Sequence, residues 1–82
     1  MSQRKNKKVI FQKNVKKVPK KYQKNYEFNN RGNCYFVDTY DKYGNMTWSG
    51  MYRSKKSASI VANTFAKTDR STNKVVIQKY TK

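Results

Sequence analysis

The 82-residue sequence predicts an α+β fold, a small antiparallel sheet packed on one helix, and three observations carry that prediction. Residues 34–40 (CYFVDTY) and 74–80 (KVVIQKY) are rich in aromatic and β-branched residues, the composition of strands. Residues 41–45 (DKYGN) are a hairpin turn that returns the chain along residues 46–53. After it, Ala58, Val61, Ala62, Phe65 and Ala66 fall at i, i+3, i+4, i+7 and i+8, one stripe of a helix. Apolar residues make up only 35% of the chain, enough for one small core and therefore for one domain.

Composition changes near residue 25 and divides the chain into a basic arm, 1–24, and a compact part, 25–82. Within the arm Phe11, Val15 and Val18 sit at i, i+4 and i+7, the spacing of a short amphipathic helix, while residues 8–12 fit an edge strand equally well. Pro19 biases Val18 away from helix and stops any continuation. Residues 1 to about 8 are expected to order only on a partner, and for 9–24 order and disorder both stay open. Residues 22–28 are expected to form a first strand, ended by the turn formers Asn29, Asn30, Gly32 and Asn33. The plan is thus β-β-β-α-β, or β-β-α-β without that strand.

In the hairpin, Asp41 opens the turn and Gly44 supplies the left-handed residue of a type I turn with a G1 bulge. Setting Asp41 opposite Asn45 places Tyr40 opposite Met46, Asp38 opposite Trp48, Phe36 opposite Gly50 and Cys34 opposite Tyr52. Side chains alternate along a strand, so these eight share one face, the expected core. Tyr35, Val37, Thr39, Thr47, Ser49 and Met51 take the other face. With the faces reversed, Phe36, Tyr40, Trp48 and Tyr52 become a stacking platform for single strands. Ser54 is a good N-cap for the helix.

The inventory argues against an enzyme. There is no His, and Glu27, Asp38, Asp41 and Asp69 are the only acids, with no visible clustering for a metal-dependent nuclease site. Neither a cofactor nor a metal is expected. Cys34 is the only cysteine, which excludes an internal disulfide and a cysteine zinc cluster and fits a small buried side chain. No apolar run approaches the roughly 18 residues of a membrane span, and none near the start resembles a signal peptide. A soluble protein of a reducing, cytoplasmic compartment is expected. The heavy use of Lys and Asn is typical of A/T-rich genomes such as those of some bacteriophages.

Charge is the strongest functional signal. Lys and Arg number 20 against four Asp and Glu, a formal +16. Ten of these cations (Arg4, Lys5, Lys7, Lys8, Lys13, Lys16, Lys17, Lys20, Lys21 and Lys24) lie in the first 24 residues with no acid among them. So large an excess repels itself unless a polyanion offsets it, and phosphate neutralisation with counterion release supplies affinity directly. On the hairpin, Tyr35, Thr39, Thr47, Ser49 and Arg53 are candidates to reach phosphates or base edges, since a two-stranded ribbon fits the major groove. Arg53, Ser54, Lys55 and Lys56 meet at the expected helix N-terminus, where backbone N–H groups and the dipole favour an anion.

Residues 33–67 (NCYFVDTYDKYGNMTWSGMYRSKKSASIVANTFAK) resemble the AP2-type sheet-plus-helix domains, including the amino-terminal arm-binding domains of tyrosine recombinases. The shared plan is strand, Asp/Gly turn, strand ending in an aromatic, Ser/Thr-Lys-Lys and an Ala-rich helix. The resemblance implies a sheet that enters the DNA major groove with the helix behind it, and Tyr35, Thr39, Thr47, Ser49 and Arg53 as groove-facing residues. The sheet lacks the several arginines with which such domains read bases, and the strand at 74–80 lies outside the plan. Both departures favour backbone binding over base reading.

The expectation is a nucleic-acid-binding protein, with duplex DNA preferred to RNA, of phage type, acting in a bacterial cytoplasm or nucleoid. One alternative is a small basic modulator or inhibitor that docks on an acidic host protein; another is an RNA-binding or ribosome-associated protein. No membrane partner is expected, because the apolar face of the basic segment is too small. Oligomeric state stays open.

Overall fold

The last strand of the chain, Lys74–Thr81 (β5), is the centre of the sheet. The structure, a computed structural model, describes residues 8–82. The elements preceding β5 are β1 (Val9–Phe11), β2 (Lys16–Lys17), a 3₁₀ segment (Lys20–Asn25), β3 (Asn33–Tyr40), β4 (Met46–Tyr52) and α1 (Lys55–Thr68). The sheet runs β1-β5-β3-β4, with β2 following β1 along the same side of β5. β3 is antiparallel to both β4 and β5, whereas β1 and β2 are parallel to β5. The fold is α+β with one main helix, and the sheet is mixed.

Five β-branched or aromatic residues in eight let β5 pair on both sides, and α1 crosses over the sheet to reach it. Ser54 caps the helix by accepting from Ser57 N–H at 3.0 Å. Ala58, Ala62 and Ala66 are buried against Val37, Val75 and Ile77. Three alanines on one stripe bring the helix backbone close to the strands, and the aliphatic residues beneath supply the apolar area, roughly 1.5–3 kcal/mol each.

The hairpin turn forms as its residues dictate. Asp41 accepts from Tyr43 N–H and Asn45 N–H, each at 2.9 Å, and Gly44 has φ +85°. The register beyond it departs from expectation. Tyr40 opposes Met46, but Thr39 opposes Trp48, so Thr47 is a surplus residue and β4 is bulged there. One extra residue flips the alternation of β3 against β4. Tyr35, Val37 and Thr39 therefore share the helix-side face with Trp48, Gly50 and Tyr52, while Phe36 opposes Met51 and Asp38 opposes Ser49 on the other face.

That other face is also partly covered. Residues 22–28, expected as a strand, instead contain most of the 3₁₀ segment, with Tyr22 N–H bonded to Pro19 O at 2.9 Å. No β-branched residue lies between Pro19 and Phe28, and Tyr26 packs its ring on Phe28, Phe36 and Tyr80 rather than joining a ladder. Val18 and Cys34 are buried at this end. Burial pushes the Cys34 thiol and the Tyr80 hydroxyl above their ordinary pKa values.

Candidate nucleic-acid interface

The basic segment is not simply an arm. Val9, Ile10 and Phe11 pair with Val75, Val76 and Ile77, and Lys16 and Lys17 pair with Tyr80 and Thr81. Residues 9–17 thus form an edge of the sheet, the strand alternative of the sequence reading. Arg4, Lys5 and Lys7 lie outside the described residues. Lys8 precedes β1 and its carbonyl accepts from Val75 N–H at 2.8 Å. Lys13, Lys16 and Lys17 line the edge, Lys20 and Lys21 follow on the 3₁₀ segment, and all five are exposed.

Between β1 and β2 the pairing leaves slack. Phe11 aligns with Ile77 and Lys16 with Tyr80, so the four residues 12–15 span the place of two, Gln78 and Lys79. The surplus arches outward and is held from the far face by Gln78, whose Nε2 donates to Asn14 O at 2.7 Å. On the helix side the arch opens a concavity of about 260 Å³ lined by Phe11, Gln12, Lys13, Val15, Tyr35, Lys55, Ile77 and Lys79. Three lysines from three elements meet there, and no acid lines it. Phe11, 45% exposed, forms one wall with the Lys55 Nζ 4.9 Å from its ring centroid.

The helix extends this surface. At 100° per residue, Lys56 and Lys67 fall on one flank of α1, with Lys55 at its sheet-facing margin, and Ser57, Val61, Thr64, Phe65 and Thr68 on the other. Lys55 over Phe11 identifies the basic flank as the β1 side. Phe65 against Trp48, with centroids 4.8 Å apart, identifies the uncharged flank as the β4 side.

The hairpin residues do not converge as expected. Thr39 is 1% exposed and shares a 2.8 Å hydrogen bond with Thr47 Oγ1. Tyr35 packs on the core and lines the cleft. Ser49 points to the opposite face and donates to Asp38 Oδ1 at 2.6 Å. The expectation of one shared groove-facing surface is corrected by the Thr47 bulge. Arg53 lies 3.9 Å from Glu27, both side chains well exposed, a pairing of small energetic weight. The Ser54 hydroxyl is engaged by Ser57, leaving Lys55 and Lys56 as the outward groups of that cluster.

Lys79, Phe11 and Val15 were not singled out by the sequence reading as parts of a site. The parity of β5 holds the missing signal for the first: Lys79 shares a face with Val75 and Ile77, a cation at the end of a core-facing row. Among the described residues no helix is long and apolar enough to cross a membrane. Comparison of the chain with protein-family models, with curated proteins and with solved structures returns no match.

Proposed function

We propose that the protein binds nucleic acid, duplex DNA first, through its phosphates. The observation that carries this reading is a cationic cleft: Lys13, Lys55 and Lys79 line a concavity that no acid lines, with exposed Lys16 and Lys17 farther along the same sheet edge and Lys56 and Lys67 on one flank of α1. A row on α1 beside a row on the sheet edge suits the two phosphate strands bordering one groove, and lysine, a compact point charge, suits backbone contact more than base reading. Phe11, half-exposed between the two rows, offers an apolar contact to sugar or base.

Neutralising about six phosphates gives log K against log salt a slope of roughly −5. A salt-titrated binding series on duplex DNA, single-stranded DNA and RNA measures it. A slope near zero on all three would defeat the proposal, and a clear preference for RNA would replace its DNA part. If the partner were an acidic protein, a pull-down would retain that protein after nuclease treatment while duplex binding stayed weak.

A further inference from the structure

The opposite edge of the sheet has a different character. β4 (MTWSGMY) has no charged residue in a chain where Lys and Arg number 20 of 82. Among the described residues its only ladder partner is β3, so one side of the strand keeps its backbone donors and acceptors unpaired. Free edges are usually guarded by lysine, proline or a bulge. Here the bulge at Thr47 interrupts only the start and leaves residues 48–52 regular.

The ground beside β4 is apolar as well. Trp48 is 38% exposed, Met46 54% and Ile60 58%. Val61, Thr64 and Phe65 of the uncharged helix flank, with Ile60 on the outer crest, line a shallow groove of about 240 Å³, closed at one end by Asp69. Two of the four acids, Asp38 and Glu27, lie on this side, while Asp41 shares a hollow with Lys8 and Arg70. Asp38 is bonded to Ser49 of β4, Asp41 opens the turn into β4, and Glu27 sits by Arg53 just beyond it.

We propose that β4 pairs antiparallel with β4 of a second copy of this chain, joining two sheets into one across a twofold axis. Two chains of +16 repel wherever their lysines face each other, and this edge is where that repulsion is least. The sorting of charge therefore favours self-association here over the lysine-lined β1–β2 edge. Antiparallel pairing of identical strands puts the axis perpendicular to the sheet, so both helices lie on the same face with their uncharged flanks turned toward each other. Trp48, Val61 and Phe65 of both copies then fill the gap between the helices. A parallel pairing would place the helices on opposite faces and leave those side chains in water.

Salt gives the test its direction, because screening strengthens this association while it weakens phosphate binding. The experiment is sedimentation equilibrium of the full chain, without nucleic acid, at low salt and at about 0.5 M NaCl, where charges are screened beyond a few ångströms. The expected mass moves from near 9.8 kDa toward twice that value as salt rises. Ser49→Lys and Met46→Lys change exposed positions on β4 and put a cation on the free edge, so each should keep the wild-type circular dichroism spectrum and stay at the single-chain mass. Amide exchange of residues 48–52 should slow in the associated state, a readout that contact through another surface would not give. A wild-type chain that remains single at high salt, variants that associate as well as wild type, or unlimited growth beyond a pair would each overturn the proposal, whatever the binding series finds.

Discussion

The two edges of the sheet are built from the same backbone and have opposite surfaces. The β1–β2 edge is discontinuous, parallel to its neighbour and lined with lysine, and its four-residue arch opens a cleft toward the helix. The β4 edge is antiparallel, seven residues long and without charge. Helix α1 repeats the division, with lysines above the first edge and Val61, Thr64 and Phe65 toward the second. A chain of large net charge can still have a neutral side if the charge is sorted by edge. Bulk charge alone gives no hint of that sorting.

The comparison breaks most sharply at the cleft. Replacing Lys13, Lys55 and Lys79 together by Ala should lower duplex affinity on the order of a hundredfold at moderate salt and reduce the salt slope by about 3. The same variant should leave association through β4 unchanged or slightly stronger, as measured by sedimentation. Affinity retained with an unchanged slope would remove the cleft from the interface.

A smaller effect lies on the neutral edge. The Trp48 indole lies across Gly50, where an added Cβ would overlap Cη2 and sit 3.0 Å from Cζ2. Gly50→Ala must displace the ring from its place against Phe65, costing about 1–3 kcal/mol. Chemical denaturation would show the loss, and Trp48 fluorescence would shift to the red, with duplex affinity intact. A variant as stable as wild type would mean that the ring is free to move.

The smallest effect sharpens the arch. Gln78→Leu removes the donor that holds Asn14 O at 2.7 Å and should cost about 1 kcal/mol. Amide exchange at residues 12–15 should quicken while exchange in β3 holds steady. If the arch kept its protection, Gln78 would not be its anchor.

Local chemistry made much of the fold legible. Asp41 and Gly44 specify the hairpin turn, and the alanine stripe with Ser54 specifies the helix. The register was not legible, because MTWSGMY places large side chains at both parities and gives no sign of one surplus residue. Residues 22–28 look like a strand by their aromatics alone, yet without β-branched neighbours Tyr26 packs on Phe28, Phe36 and Tyr80 instead. The cleft depended on a pairing between Val9 and Val75 that no local pattern can announce. Lys13 and Lys55 were identified by charge, but their meeting with Lys79 required the sheet.

The central position of β5 has a consequence for how the molecule comes into being. Val9 and Phe11 find their partners only when Val75 and Ile77 exist, so during synthesis the lysine-rich start of the chain leaves the ribosome with nothing to pair against. Contacts so distant in sequence close slowly. Throughout that interval residues 9–17 lack the only strand they pair with among the described residues. Closure of this edge therefore waits on β5, the strand that supplies every partner of β1 and β2.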